Sequence, residues 1–567
     1  MKKFLTIICL CALTAVACHK EEYVAPTAER QGLTSLTAYF AFGPYEDLEL
    51  AKLDVTDPDQ ERFVIPVPWY YPASSDDQTM QYMIRVRVRA EIQPNYTISP
   101  ALSLLDLTEE NVFTLTDPNG KSRRIIITGQ RTRSSECDIL AFNLTDPAVT
   151  GVVDKETKTV TLPTKEDVSN AIASAVLSPH ATISPDPAEA RDYTEPVTFT
   201  VTADNGTSTC EYTVAVGEPQ RIPTGVDFSS IKHKFNIDPV AILGLSPYSE
   251  MAYISLASIQ DKLVISEGMG NDPVIVNPLS ATVEGSLPAG GFNIGAITND
   301  EAGHLIAVNP ALGGGSAETV TIAMTSSLSE APATLFSFTN PASEPVGHRV
   351  KVMGDVTDEA VITLTCEGVN GVTTTAKAVY VVVSGGQMIS ANVVDFAAST
   401  PGWGAAPVNI GTVVPASINP ASDGWYYDYY EGNSDDSGMY LLHYNKKGSD
   451  KIAGWFGDWS LNPNCLDSKQ FNKARFMSLL VVSHFPHWGV GPRLYVWDVT
   501  DPDIASPSPK TPDFSNEWIE WYQQGDAGCA SGDVVMAPST DGYFLNIYYY
   551  DHNSQAVGLY AVDCIKR

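Results

Sequence analysis

The sequence predicts an all-β fold, with two N-terminal immunoglobulin-like sandwiches followed by a six- or seven-bladed β-propeller. Short segments that alternate apolar and polar residues fill the first part of the chain, as expected for half-buried strands. That part also contains an internal duplication. Longer quasi-repeats of strand, glycine turn and strand fill the remainder, which is typical of propeller blades. The predicted boundaries are 34–131 and 137–216 for the sandwiches, 217–226 for a linker and 227–567 for the propeller.

The duplication is visible in two motifs. Residues 94–100 (PNYTISP) match residues 179–185 (PHATISP) at an offset of 85, and Asn119-Gly120 recurs as Asn205-Gly206 at an offset of 86. An Asn-Gly pair between two alternating strands is the strongest short-range signal for a β-hairpin. Two copies of a unit of roughly 80–100 residues with about seven strands predict two immunoglobulin-like sandwiches.

The second copy resembles a known family. Its strand segments ILAF, VTLP, ATISP and VTFTVT, found at 139–142, 160–163, 181–185 and 197–202, are similar to an Ig-like domain that is widespread in surface lipoproteins of Bacteroidota. The resemblance covers 137–216 well and 34–131 loosely. It implies a spacer role and brings no catalytic residues.

The propeller prediction rests on recurring strand pairs. Glycine-led segments at 295–308, 354–364 and 532–548 each join two apolar strands through a tight turn. Four-stranded units of about 50 residues over this length fit six or seven blades. A series of further sandwiches is the alternative. One short helix is predicted, over 165–175.

The N-terminus has the layout of an export signal. Two lysines at 2–3 precede the apolar run 4–17, which is shorter than the roughly 20 residues that span a bilayer. The sequence Ala-Val-Ala-Cys at 15–18 resembles the bacterial lipobox, which implies cleavage after residue 17 and a lipid on Cys18. His-Lys-Glu-Glu at 19–22 resembles the lipoprotein export signal of Bacteroidota. We therefore expect a signal peptide at 1–17, a lipid anchor and tether at 18–33, and an outer-membrane lipoprotein facing the cell exterior.

Composition narrows the possible partners. With 67 acidic and 35 basic residues the net charge is −32, which argues against nucleic-acid binding because phosphates would be repelled. No C-x-x-C pair occurs, and we expect no metal site and no cofactor. Cys137 and Cys210 are the predicted disulfide, because they would lie on the first and last strands of the second sandwich. Buried free thiols are the alternative.

Aromatic residues concentrate late in the chain, where eight of the nine tryptophans fall between Trp403 and Trp521. Flat rings suit the C–H faces of sugars, and alternation along a strand leaves one face of the strand accessible. The alternative is that the rings pack between blades. The candidate ligand-binding residues are Trp425, Tyr427, Trp455, Trp459, Trp488, Trp518 and Trp521.

These observations predict a non-catalytic glycan-capture lipoprotein at the cell surface, with an outer-membrane glycan transporter as a possible partner. Hydrolase elbows, zinc-protease motifs and phosphate-binding loops are absent from the sequence. A protein-interaction or adhesion role and a propeller glycoside hydrolase or lyase remain as alternatives.

Overall fold

The structure is a computed structural model that describes residues 32–566, except 58, 246–252, 269, 312–317, 368–376, 397–410, 432–437, 446–447, 457–460, 484–485 and 523–530. The chain divides into two compact units, Met1–Glu218 and Pro219–Arg567. Among the described residues no helix has the length and apolar character needed to cross a bilayer. Strands dominate both units, which confirms the all-β prediction.

The first sandwich packs two four-stranded sheets against each other. One has the order β2-β1-β4-β6 and the other β3-β8-β7-β5, with β3 and β8 parallel. The strands are β1 (Leu33–Phe40), β2 (Glu49–Asp54), β3 (Arg62–Pro68), β4 (Val86–Ile92), β5 (Thr97–Ser99), β6 (Leu104–Leu105), β7 (Asn111–Thr116) and β8 (Ser122–Thr132), with a short helix α1 (Met80–Met83) before β4. Alternate residues such as Phe63, Ile65 and Ile125 are fully buried between the sheets. Each such side chain stabilises the fold by roughly 1.5–3 kcal/mol.

The second sandwich repeats this plan. A three-stranded sheet, β10-β9-β13, faces a five-stranded sheet, β11-β12-β16-β15-β14, in which β12 and β16 are parallel. The strands are β9 (Ile139–Asp146), β10 (Ala148–Thr150), β11 (Val152–Asp154), β12 (Thr159–Pro163), β13 (Ile172–Leu177), β14 (Thr182–Ser184), β15 (Val197–Thr202) and β16 (Thr209–Gly217). The duplicated motifs occupy equivalent strands, since β5 pairs with β7 as β14 pairs with β15.

The predicted helix over 165–175 is wrong. Local side-chain bonds hold this segment in turns, because Thr164 Oγ1 accepts the Glu166 N–H at 3.0 Å and Asp167 accepts the Ser169 N–H at 2.9 Å. Such bonds compete with helical hydrogen bonding. The segment then continues into β13, whose Ala173 is buried against the core.

The described residues of the second unit form six four-stranded sheets. Each runs from an innermost to an outermost strand. Blades 1 to 3 are β18 (Ser255–Ile259), β19 (Lys262–Ser266), β20 (Val274–Asn277) and β21 (Thr282–Ser286); β22 (Ala296–Asn299), β23 (Leu305–Val308), β24 (Thr319–Thr325) and β25 (Ala333–Thr339); and β26 (Val350–Gly354), β27 (Ala360–Thr365), β28 (Lys377–Ser384) and β29 (Gln387–Asp395).

Blades 4 and 5 follow the same pattern, but blade 6 is built from both ends of the unit. Blades 4 and 5 are β30 (Val413–Pro415), β31 (Trp425–Glu431), β32 (Gly438–Asn445) and β33 (Gly448–Phe456); and β34 (Leu461–Phe471), β35 (Ala474–Ser483), β36 (Arg493–Asp498) and β37 (Phe514–Asn516). In blade 6, β38 (Gly532–Pro538), β39 (Phe544–Asp551) and β40 (Ala556–Asp563) are completed by β17 (Asp227–Ile237) as the outermost strand. Short helices are α2 (Pro239–Leu243), α3 (Pro420–Asp423) and a 3-10 helix (Pro486–Trp488).

Polar side chains join the innermost strands into a ring. The inner edge of such a strand has no neighbour in its own sheet, so its buried N–H groups need other acceptors. Asp533 of β38 accepts the Leu256 N–H of β18 at 2.9 Å, which joins blade 6 to blade 1. Asp467 of β34 accepts the Met536 N–H of β38 at 2.7 Å, and Ser255 Oγ of β18 accepts the Ile297 N–H of β22 at 2.9 Å. Contacts between innermost strands also run from β22 through β26 and β30 to β34, which closes the ring, and we therefore describe the unit as a six-bladed propeller.

Candidate ligand-binding surface

The structure describes the side chains of five of the seven aromatic candidates and places them in three different environments. Trp425 and Tyr427 are only 5% and 3% exposed, whereas Trp488 and Trp518 are 56% and 65% exposed. Trp521 is half-buried. The remaining candidates, Trp459 and the side chain of Trp455, lie outside the described residues, as does the predicted lipidation site at Cys18.

Trp425 and Tyr427 therefore have to be removed from the predicted binding site. The Tyr427 ring stacks on Phe396 with centroids 4.5 Å apart, and the Trp425 ring contacts Tyr380 of blade 3 at 5.0 Å. Tyr426, which points to the other face of β31, is fully buried as well. The described side chains of β31, from Trp425 to Asp428, are buried on both faces of the strand, so this part of it has no accessible face.

Trp488 and Trp518 lie on neighbouring segments. Trp488 ends the 3-10 helix between β35 and β36, and Trp518 follows β37. The Ile519 N–H donates to the Pro492 carbonyl at 3.3 Å, so the chain after Trp518 runs beside the chain after Trp488. A Cβ atom added at Gly491 would collide with the Trp521 ring, which shows how closely the two segments approach.

We call the surface formed by Trp488, Trp518 and Tyr522 the aromatic ridge. Tyr522 is 41% exposed. Its N–H donates to the Ser554 carbonyl at 3.0 Å and its hydroxyl donates to the Asn236 carbonyl at 2.7 Å, which fixes the ridge to blade 6. Alternation along residues 518–520 explains why Trp518 is exposed, because Ile519 is buried while its neighbours Trp518 and Glu520 point outward.

The ridge is a preformed surface with acidic neighbours. Asn516 Oδ1 accepts the Trp518 N–H at 2.9 Å, which holds the turn that presents this ring. Glu517 and Glu520 are exposed on either side of Trp518. Such a surface can offer flat apolar rings and hydrogen-bond acceptors together. Tyr522 is a residue that the sequence candidates omitted, although it directly follows Trp521.

Sequence reasoning also missed an ionic cluster on the propeller axis. Lys351 Nζ lies 2.8 Å from Asp533 Oδ1, and Lys469 Nζ lies 2.9 Å from Asp467 Oδ1. All four side chains are at most 3% exposed. Lys469 also donates to the Val352 carbonyl at 3.0 Å, so the cluster links blades across the axis. Because every charge is matched and fully buried, we assign this cluster a structural role.

A second polar group lies at the opposite end of the blades from the ridge. Asp300, His304 and Asp355 bring their ligand atoms within 4.8 Å of one another, beside a cavity of about 480 Å³. The Asp300 carboxylate already accepts four hydrogen bonds. The donors are the N–H groups of Ala302, His304 and Val356 and the Nδ1 of His304, at 2.8–3.2 Å. Because its carboxylate already accepts these four hydrogen bonds, we interpret Asp300 as a residue that stabilises the turn and connects blade 2 to blade 3.

Comparison with known proteins supplies a family for most of the propeller. A domain of unknown function, DUF8500, matches residues 233–563, which is more than half of the chain. Two further domains of unknown function match the sandwiches, DUF5018 at 13–129 and DUF8499 at 139–216. A comparison with curated protein sequences finds no match.

Solved structures show only distant likeness. A DUF4623 family protein from Bacteroides eggerthii is 15% identical, covers 76% of this chain and 99% of its own, and has a TM-score of 0.38. An auxiliary nutrient binding protein from Bacteroides ovatus is 9% identical, with coverage of 80% and 95% and a TM-score of 0.33. A streptogramin B lyase is 9% identical, with coverage of 59% and 97% and a TM-score of 0.28. These scores are too low to transfer a function.

Proposed function

Because this chain belongs to the DUF8500 family, whose name assigns no activity, we propose its function from the aromatic ridge: the protein captures polysaccharide or oligosaccharide at the cell surface without cleaving it. The single observation that carries the proposal is the exposure of Trp488 and Trp518, each more than half exposed, on adjoining segments of one surface. Contiguous exposed apolar surface marks interaction sites, and the hydrogen bond from Ile519 to Pro492 brings together the two segments that carry these rings.

The chemistry of the ridge favours a sugar ligand. Pyranose rings present C–H groups that pack on flat aromatic faces, while their hydroxyls donate to carboxylates such as Glu517 and Glu520. The acidic neighbours and the net charge of −32 disfavour sulfated or uronic-acid chains. A neutral glycan is therefore the expected ligand class.

Cell-surface display completes the proposal. A lipid on Cys18 would hold the protein in the outer membrane, and the residues at 19–22 favour the outward-facing side. A glycan held there would be available to an outer-membrane glycan transporter, which we expect as the partner. Protein adhesion is the second candidate, because exposed tryptophan is also enriched in protein interfaces.

The binding proposal is tested with calorimetry against a panel of neutral polysaccharides. We expect at least one ligand, and replacement of Trp488 and Trp518 by alanine should weaken its binding at least tenfold, since stacking on two rings is lost. Leu279→Ala is the matched control, because Leu279 is 96% exposed on another blade. Unchanged affinity in the double variant would rule out the ridge. Release of reducing ends from any glycan would instead favour the hydrolase or lyase alternative.

The anchor proposal is tested separately by fractionation. Cys18→Ala should move the protein from the membrane fraction to the soluble fraction, because the lipid is its only proposed attachment. Protease added to intact cells should degrade the wild-type protein. A Cys18→Ala protein that stays wholly with the membranes would contradict the anchor, and full protection from protease would contradict the outward orientation.

A further inference from the structure

We infer that the two sandwiches of the first unit are locked into one rigid body by contacts at their junction. The junction cluster consists of Trp69, Tyr70 and Arg133 on the first sandwich and its linker, and His180 and Asp204 on the second. The proposal goes beyond ligand capture, since it concerns the mechanical behaviour of the 33–217 segment.

The first contact is a stacked pair of rings. The rings of Tyr70 and His180 are nearly parallel, 22° apart, with centroids separated by 4.0 Å. His180 Nε2 lies 2.9 Å from the Ser75 carbonyl, so the imidazole donates to the first sandwich while it stacks on it. One side chain of the second sandwich is thereby held by two groups of the first.

The second contact is an ion pair at a separate loop. Arg133 Nη1 lies 2.6 Å from Asp204 Oδ1, and the Asp204 side chain is only 7% exposed. The guanidinium also lies over the Trp69 ring, 4.4 Å from its centroid. Burial of the carboxylate and the aromatic platform reduce screening by salt, so this pair is stronger than a freely solvated one.

The linker leaves little freedom of its own. β8 ends at Thr132 and β9 begins at Ile139, so six residues join the sandwiches. Within them, Cys137 forms a disulfide with Cys210 of β16, and the Ser134 carbonyl accepts the Asn205 N–H at 3.0 Å. These two bonds fix the linker from Ser134 onward to the second sandwich, so a hinge could open only before Ser134 and would have to break the stack.

The duplication shows that these contacts belong to the junction and not to the sandwich fold. At the repeat offsets, His180 corresponds to Asn95 and Asp204 to Pro118. Asn95 and His180 share a left-handed backbone, with φ of 69° and 60°. Asparagine cannot stack on a ring as an imidazole does, and proline offers no carboxylate. The first copy therefore keeps the loop conformations but lacks both contact groups.

The repeat also supplies the test variants. Asn tolerates the left-handed conformation, so His180→Asn should remove the stack without straining the loop. Asp204→Asn removes the charge at nearly constant volume. Asn95→His in the first copy is the matched control. Tyr70→Ala removes the other ring of the stack. It therefore controls for the case in which replacement of His180 disturbs only the folding of its own loop.

Pulsed electron–electron resonance on the full chain measures the rigidity. Nitroxide-bearing unnatural amino acids at Glu46 and Glu156, both exposed, report the distance between the sandwiches without using the native cysteines. We expect one narrow distance distribution for the wild type and for Asn95→His. The His180→Asn/Asp204→Asn and Tyr70→Ala/Asp204→Asn variants should broaden it at least twofold. A broad wild-type distribution, or variants as narrow as the wild type, would overturn the inference.

Discussion

Asp551 and His552 are consecutive buried residues, and burial shifts their pKa values in opposite directions. Burial raises the pKa of Asp551 from 3.8 to about 6, although Ser483 donates its N–H to this carboxylate. Burial lowers the pKa of His552 from 6.5 to about 4. Asp551 ends β39 and His552 begins the turn to β40, on the same side of the propeller as the aromatic ridge.

The two groups should have opposite effects on stability below pH 6.5. The unfolded chain protonates His552 first, so its contribution to stability falls as the pH drops from 6.5 to 4. The folded chain holds the Asp551 proton up to about pH 6, so its contribution rises as the pH drops from 6 to 3.8. Each effect amounts to about 3 kcal/mol, and the pair nearly cancels.

Replacing one residue of the pair at a time should reveal how the other residue makes the stability depend on pH. Asp551→Asn should make the propeller lose stability relative to wild type on acidification from pH 6.5 to 4.5, by about 2 kcal/mol, because the compensating effect of Asp551 is absent. His552→Gln should show the opposite slope. Urea unfolding followed by tryptophan fluorescence reports this unit, since eight of the nine tryptophans lie in it. Parallel slopes for both variants would show that these groups do not titrate as described.

At the scale of elements, the disulfide ties the start of the second sandwich to its last strand. Cys137 precedes β9, Cys210 lies in β16, and their Cα atoms are 5.5 Å apart. The two cysteines are 73 positions apart in the sequence. Closing a loop of this length removes much of the conformational freedom of the unfolded chain.

Replacement of both cysteines by serine should lower the stability of the second sandwich by roughly 2–5 kcal/mol. Calorimetric melting of the full chain measures the change. A reductant should lower the wild-type transition to the same extent and leave the double variant unaffected. Equal melting of wild type and double variant would mean that the bond does not stabilise the sandwich.

The elements differ in how well the sequence predicts them. The hairpins at Asn119-Gly120 and Asn205-Gly206 are local signals, because the two residues themselves adopt the turn, and they were predicted correctly. The glycine-led pattern at 354–364 predicts a strand that begins at Gly354, but Gly354 ends β26 and the following residues form the turn. A glycine in the sequence indicates a nearby turn, but it does not show where the preceding strand ends.

The site was harder to predict than the strands. Trp425 and Trp488 look alike in sequence, since both lie among aromatic and polar residues. Only the packing of the blades distinguishes them, because it buries Trp425 within β31 and leaves Trp488 exposed in the connection after β35. The axial lysines were missed for the same reason, as a lysine in an alternating strand ordinarily indicates an exposed face.

At the scale of the whole molecule, blade 6 closes the ring with strands from both ends of the unit. Antiparallel pairing joins Asp227 to Asp563 and Ile237 to Val557. Half-buried side chains of β17, among them Phe228, Ile231, Phe235 and Ile237, pack against the neighbouring cores.

Replacing β17 with an equally long Gly-Ser segment should destabilise the propeller by more than about 4 kcal/mol, since four half-buried side chains and the pairing with β40 are lost. The same replacement of β21, the exposed outer strand of blade 1, is the control and should cost much less. Thermal melting followed by tryptophan fluorescence compares the two. Equal losses of stability would indicate that β17 stabilises the propeller no more than an ordinary outer strand does.

The pairing of β17 with β40 also fixes when the propeller can finish folding. During synthesis β17 emerges before any other strand of its unit, and its partner emerges last. Until then β17 cannot pair with β40, so five blades can form before the sixth, which needs the last strand of the unit. Contacts that distant in sequence make folding slow. A chain whose synthesis stops before β40 would retain an open sheet edge, which proteases and aggregation can exploit.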